Sequence, residues 1–296
     1  MTVVSYLKLD KNSGIGCADE RESIGGRTYD FIKKIRRVAS TRSFIGMAGD
    51  AHYADEIIAA ISSRAKTDDV REILGIAKNA YLKCRDEKFE ESMLKRYNAT
   101  WEDFKRPNAL EMNIHKTLFE ALSDPRSQDV GLMLGGLDKD GNFEIFTISY
   151  PGTSRTWTFN RFHTIGSGSD RAHIVIGDAI NAMDPNDRDN IPLPKGAKIL
   201  MQATRSAWKN IGVGGRSQLV YVSGGELKEL GVDESNVLNN ILYCEEKGTL
   251  PSEYVDATFS KILMDGAKAA DIIMETAGKI SSEKLADLFF RQSLHL

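Results

Sequence analysis

The sequence has little of what metal, redox or nucleotide chemistry needs. Its three cysteines, Cys17, Cys84 and Cys244, are scattered. They show no metal-ligand spacing and cannot all pair within one chain, which suits a reducing compartment. The five histidines, His52, His115, His163, His173 and His295, show no ligand pattern. No G-x-G-x-x-G follows a strand pattern and the P-loop lysine is missing, so neither a bound nucleotide nor any other cofactor or metal is expected. No apolar run is long enough to span a membrane. The opening M-T-V-V-S-Y-L-K-L-D lacks the basic start and small-residue cleavage site of a signal peptide. Charge of neither sign dominates: 39 Lys and Arg against 42 Asp and Glu give a net −3. Nothing there argues for nucleic acid as a partner. The expectation is a cytoplasmic protein that binds neither membrane nor nucleic acid.

What is present is material for a large core. The 296 residues are 41% hydrophobic, enough for one large or two small domains. Val3 to Leu9 is β-branched and aromatic-rich and reads as a strand. D-K-N-S-G turns the chain, and Ile15 to Arg21 reads as the returning strand. Gly25 and Gly26 interrupt it, and Ile35 to Val38 resumes extended structure. Along Ser43 to Gly49, Phe44, Gly46 and Ala48 share one face while Ile45 and Met47 share the other. The first face is small apart from Phe44, as where a ligand backbone approaches a strand.

Asp50 starts a helix with Ile57, Ile58, Ile61 and Ala65 at helical spacing, and a second follows from about Asp68. Charges fill Arg85 to Arg96. Tyr97 to Asn113 reads as irregular, with Trp101 and Phe104 as anchors, before a short helix to Leu122. Strands return at Val130–Leu134, Phe143–Ser149 and Thr156–Phe162. G-S-G-S-D, from Gly166, opens a helix, another covers Ala197 to Lys209, and Ser217–Val222 is the final core strand. Helices come in consecutive pairs rather than singly between strands, which favours antiparallel sheets between helical layers.

From Glu226 the strand signal stops. Val255, Phe259, Ile262, Leu263 and Ile273 make one stripe that Gly278 ends. Ser281 or Ser282 caps the next, with Leu285, Leu288 and Phe289 inward. The expected division is a domain over 1–225 and a helical extension over 226–296, packed on the same domain or at an interface.

The chemistry concentrates at the front. Thr2 sits directly behind Met1. Thr is small enough for methionine aminopeptidase, so Met1 is expected to be removed. Thr2 then carries a nucleophile, its Oγ, and a base, its α-amine. In order along the chain stand T-V-V-S at Thr2, A-D-E-R at Ala18, K-K-I-R-R at Lys33, G-M-A-G-D-A at Gly46, G-G-L-D at Gly135, I-G-S-G-S at Ile165 and V-G-G at Val213. No single piece is specific, but seven in this order are. From Thr2 to about Val222 the chain resembles proteasome β-type subunits, including the bacterial proteasome-like peptidase that works with a ring ATPase.

That resemblance implies an N-terminal-nucleophile hydrolase with an αββα sandwich, assembled into homo-oligomeric rings. It implies a threonine endopeptidase acting on peptide or unfolded-protein substrates, with a ring ATPase as a candidate partner. Carried over residue by residue, Thr2 matches the nucleophile, Lys34 the catalytic lysine and Asp19 the carboxylate that holds it charged. Gly46 matches the oxyanion glycine, and Ser167 the serine that bonds the α-amine. Phe44, two residues before Gly46 on its face, matches the floor of the specificity pocket, with Ala48 beyond; the alternatives are that Phe44 swings away and leaves a deep apolar pocket, or that it is simply core. The chain departs from the family at N-I-G-V-G-G. Asn210 stands where the acid is usual and Val213 where the serine is usual. The other functional class is therefore a proteasome-like scaffold or binding ring without turnover.

Overall fold

A hairpin opens the chain, because two β-rich segments flank a turn tied by its own aspartate. β1 (Val4–Lys8) and β2 (Gly14–Asp19) pair antiparallel. Between them the Asp10 carboxylate accepts from the Asn12 amide and the Ser13 hydroxyl. The computed structural model describes residues 2–24, 27–29, 32–106, 108–123, 130–208 and 213–279. Met1, Gly25, Gly26, Asn210, Ser281, Ser282, Leu285, Leu288 and Phe289 thus lie outside the described residues.

A two-stranded pair, β3 (Glu22–Ile24) and β4 (Arg27–Tyr29), follows the hairpin, then β5 (Ile35–Arg37) and β6 (Phe44–Gly49). α1 (Ala51–Arg64) starts where the Asp50 side chain accepts from the Tyr53 amide, and α2 (Val70–Phe89) where Asp69 accepts from Arg71. Each cap satisfies one of the orphan amides of a first turn. A π-helical turn, Glu90–Leu94, and a 3₁₀ turn, Lys95–Tyr97, prolong α2. α3 (Trp101–Lys105) begins at a capping box of Thr100 and Asp103, and α4 (Met112–Ser123) follows. Then come β7 (Val130–Leu137), β8 (Phe143–Ser149), β9 (Thr153–Thr156), β10 (Phe162–Ile165), α5 (Ser169–Asn181) and α6 (Leu193–Ala207). The chain proceeds through β11 (Ser217–Ser223), β12 (Glu226–Glu229), α7 (Val232–Glu246), α8 (Ser252–Leu263) and α9 (Ala269–Ala277).

The strands form two five-stranded antiparallel sheets, ordered β10-β1-β2-β11-β12 and β5-β6-β7-β8-β9. Alternation along β1 divides the cores. Val4 and Tyr6 face a core shared with Phe44, Met133, Phe143 and Ile145 of the other sheet. Val3 and Leu7 face a second core with Ala172, Ile176, Leu200 and Ala203 of α5 and α6. A third core joins Ile45 and Met47 of β6 to Ile57, Ile61, Ile73 and Ala77 of α1 and α2. A satellite cluster of Phe89, Leu94 and Leu118, with Trp101 and Phe104 against it, holds the segment between α2 and β7.

Several expectations are corrected. Thr156–Phe162 is not one strand: β9 belongs to one sheet and β10 to the other. The turn between them, where the Asn160 amide donates to the Trp157 carbonyl, carries the chain across. Strand structure also continues past Glu226. β12 pairs back on β11, Ser223 opposite Glu226, across a Gly224–Gly225 turn. The charges of E-L-K-E hid this edge strand, because an edge has a solvated face. α3 lies within the stretch expected to be irregular. The stripe from Val255 to Ile273 is two helices, and it is Ile272 that is buried, while Ile273 is 50% exposed.

α7 to α9 share the core of α5 and α6, through Leu238, Ile241, Leu242, Val255 and Phe259. Ion pairs reinforce the contact: Lys198 of α6 reaches Glu245 and Asp256 at 2.7 and 2.6 Å, and Arg205 reaches Glu246 at 2.9 Å. No helix among the described residues is long and apolar enough to cross a membrane.

Candidate active site

Thr2 stands at the head of β1, where three segments converge on it. Its nitrogen lies 3.1 Å from the Ser167 hydroxyl oxygen, to which it donates. Its carbonyl accepts from the Gly168 amide at 3.0 Å. The next amide, Val3, donates to the Asp19 carboxylate at 2.7 Å. Asp19 is the last residue of β2, and the β1–β2 register brings its carboxylate under the start of β1. Lys34 enters from the other sheet, just before β5, and its ammonium lies 2.9 Å from Asp19 Oδ1. It donates also to the Arg21 carbonyl. Both side chains are buried, at 4% and 0% exposure. Lys33, its neighbour, points the other way and pairs with exposed Glu229.

Asp19 is the electrostatic centre. Burial raises its carboxyl above the ordinary aspartate range. Lys34 and the Val3 and Gly214 amides oppose that shift by favouring the charged form. The Gly214 amide approaches Oδ2 at 3.3 Å, so the loop ahead of β11 also contacts the site. α7 buttresses this strand. The Ser217 hydroxyl donates to Asn239 at 3.2 Å, and the Ser235 hydroxyl donates to the Ser217 carbonyl.

The G-S-G stretch needs its first glycine. Gly166 has φ +97°, and a Cβ there would lie 2.3 Å from the Thr2 carbonyl oxygen. The loop is thus closed on the peptide backbone of β1. Val213 is 2% exposed, inside the core shared with α5 and α6.

Gly46 does not occupy the place expected of it. The Met47 amide donates to the Lys34 carbonyl at 3.0 Å. Successive amides alternate along a strand, so the Gly46 amide faces β7, where its register partner is Met133. A Cβ at Gly46 would lie 2.6 Å from Val4 Cγ1 and 2.8 Å from Tyr6 Oη. The small residue makes room for β1, not for a ligand. Phe44 is fully buried between the sheets, its ring 4.7 Å from Tyr6 and 6.0 Å from Phe143. The structure does not bring it to an open surface. Ala48 continues the same face one step beyond Gly46, toward the Thr2 end of β1, and is 8% exposed. The residue passed over in the sequence is Gly49. It ends β6 at an exposed position with φ +104°. Its amide has the parity of Met47, on the Lys34 side. The signal was present in G-M-A-G-D, whose second glycine abuts a helix cap.

The structure therefore brings together Thr2, Asp19, Lys34 and Ser167. It leaves Gly46 and Phe44 in the core between the sheets. Among the described residues, no group of His, Cys, Asp and Glu is arranged to hold a metal.

No protein-family model matches the chain, and no curated protein matches it in sequence. In structure it is similar to Anbu, solved as a Gly-1 mutant from Hyphomicrobium sp. strain MC1. That superposition has a TM-score of 0.57 at 14% identity, and covers 84% of this chain and 96% of that one. The fold is proteasome-like.

Proposed function

We propose that this protein is a threonine endopeptidase of the N-terminal-nucleophile class, working in the cytoplasm on peptide or unfolded-protein substrates. The observation that carries the reading is the convergence on one spot of three bonds: the Thr2 nitrogen to Ser167, the neighbouring Val3 amide to Asp19, and Lys34 to Asp19. The three cores, one between the sheets and one outside each, support an αββα four-layer sandwich around that set.

Removal of Met1 frees the Thr2 amine, a base with an unperturbed pKa of about 7.7–8.0. The amine takes the proton of Thr2 Oγ as Oγ attacks the substrate carbonyl carbon. The C–N bond breaks, the leaving amine receives that proton, and an ester on Thr2 remains. Water, deprotonated by the same amine, hydrolyses the ester. Lys34, held charged by Asp19, lowers the proton affinity of the hydroxyl and amine. Developing negative charge on the carbonyl oxygen needs fixed donors. We assign that role to the Gly49 amide in place of Gly46. Ala48 becomes the candidate pocket residue in place of Phe44. No cofactor or metal enters this chemistry. Closed rings of identical subunits complete the reading, with a ring ATPase as a candidate partner.

The experiment is hydrolysis of fluorogenic peptides by wild type and Thr2→Ala, with intact mass measured on the same preparations. Turnover that follows the loss of Met1 and disappears in Thr2→Ala is expected. Normal turnover by Thr2→Ala, or by protein that quantitatively keeps Met1, overturns the reading.

A second reading, a ring without turnover, is favoured by Val213. Its buried side chain offers no hydrogen bond where the family has serine. Fully processed protein that assembles and hydrolyses no peptide establishes it.

A further inference from the structure

Asp19 and Lys34 belong to different sheets, so their contact depends on the separation of the sheets at that point. One side chain bonds across the sheets right beside it. Gln218, on β11, is 4% exposed. It lies opposite Ala18 in the register with β2, one residue from Asp19. Its carboxamide crosses to the other sheet and engages both polar groups of Ile35, the residue after Lys34. The Ile35 amide donates to Gln218 Oε1 at 2.9 Å, and Gln218 Nε2 donates to the Ile35 carbonyl at 2.7 Å.

The pattern of β5 explains why this contact is available. Lys34 offers its carbonyl to Met47 of β6, so the polar groups of Ile35 point the other way. Among the described residues β5 is the edge of its sheet, and the two groups have no strand to meet. An unpaired buried amide and carbonyl are costly. The Gln218 carboxamide supplies the missing rung, with the donor and acceptor of a peptide in one plane. The backbone beside Lys34 is thereby held on both sides. Nε2 also donates to Glu229 at 3.2 Å, which fixes the orientation of the amide.

We infer that Gln218 is a positioning residue for the Lys34–Asp19 pair, a staple between the sheets that sets the reach of the lysine toward Thr2. The inference rests on the threonine-peptidase reading for its kinetic consequence but not for its geometry.

Two variants test it, each assayed well below its own unfolding midpoint. Gln218→Leu keeps the volume and removes the rung. Its kcat is expected to fall by at least about tenfold with KM nearly unchanged, since small misplacements of a catalytic group carry penalties of that order. Gln218→Glu restores the rung only when its carboxyl is protonated, as C=O acceptor and O–H donor. Glu229 contacts the carboxamide and is itself paired with Lys33, Lys34 precedes the bonded Ile35, and Glu20 interacts in turn with Arg216, Lys33, Glu229 and Asp19. Burial and Glu229 favour the protonated form and outweigh Lys33, already paired with Glu229, and Lys34, already paired with Asp19. Gln218→Glu should therefore turn over like wild type near pH 5.5, relative to wild type at that pH, and like Gln218→Leu near pH 8. Full kcat in Gln218→Leu, or a Gln218→Glu profile parallel to wild type, overturns the staple. If wild type hydrolyses no peptide, the functional reading fails on its own. The staple is then judged by the ¹³C titration of the Asp19 carboxyl, assigned by its loss in Asp19→Asn. A shifted titration in Gln218→Leu is expected, and an unchanged one overturns the inference.

Discussion

Lys34 and Asp19 meet between the two sheets at 2.9 Å, with almost no exposure of either side chain. A buried pair of this kind is costly to break from one side, because the remaining charge stays desolvated. Lys34→Met is expected to lose about 3–5 kcal/mol at neutral pH. The loss should depend on pH in a defined direction. Burial already raises the Asp19 carboxyl, and removing Lys34 raises it further. A carboxyl whose folded pKa is raised favours the folded state most when protonated, and that advantage is lost as pH rises through the folded pKa. Urea midpoints of Lys34→Met relative to wild type should thus be closer at pH 5 than at pH 8. An equal deficit at both values would mean that Asp19 has found another partner.

Phe44 belongs to the core between the sheets. Fully buried between Tyr6 and Phe143, it should behave as a packing residue. Phe44→Ala is expected to lose about 3–5 kcal/mol and to keep the preference for the residue on the acyl side of the scissile bond. Ala48→Val should change that preference with a smaller loss of stability. A peptide panel differing only at that position, read beside thermal midpoints, distinguishes the two. A preference altered by Phe44→Ala and untouched by Ala48→Val would return the pocket to Phe44.

The sequence revealed the parts of the site that depend on order and missed the parts that depend on direction. Thr2, Asp19, Lys34 and Ser167 come from four short motifs, and the fold joins them. Gly46 and Gly49 lie three residues apart on one strand. Which amide faces outward is decided by whether Met47 bonds Lys34 or Leu132, which strand patterning does not encode. β12 escaped notice for a related reason: its pairing with β11 uses backbone groups, and its side chains show only an exposed edge. Gln218 looks like any polar residue in a strand until the unpaired rung of Ile35 is seen beside it.

His163 gives a pH dependence that involves none of the site. It stacks on Trp157, with ring centroids 3.7 Å apart, and its buried Nδ1 has no hydrogen-bond partner among the described residues. Burial holds the imidazole down to about 4 from an ordinary 6.5, helped by His173 and Arg155. The folded state therefore favours the neutral ring. Stability is fully present above the unfolded pKa and is lost as pH falls through the window from 6.5 to about 4. His163→Phe keeps the stack and cannot titrate. It should flatten that part of the stability profile, measured by denaturant midpoints at closely spaced pH values. An unchanged slope would assign the acid sensitivity to other groups.

The loop at Gly166 carries the sharpest structural prediction about Thr2. Two contacts of that loop hold the residue: the Ser167 hydroxyl at its nitrogen and the Gly168 amide at its carbonyl. Ser167→Ala removes the first and should cost about 1 kcal/mol, the ordinary worth of one hydrogen bond. Gly166→Ala acts differently. At φ +97° a side chain is strained, and its Cβ would stand 2.3 Å from the Thr2 carbonyl oxygen. The neighbour is backbone, so it cannot swing aside. The loop must retreat, and both contacts go with it. Strain alone accounts for about 1–3 kcal/mol, so Gly166→Ala should lower the thermal midpoint more than Ser167→Ala. It should also abolish peptide turnover, although residue 166 has no side chain to contribute to the chemistry. Equal midpoints for the two variants, or turnover retained by Gly166→Ala, would show that the loop can move without carrying Thr2.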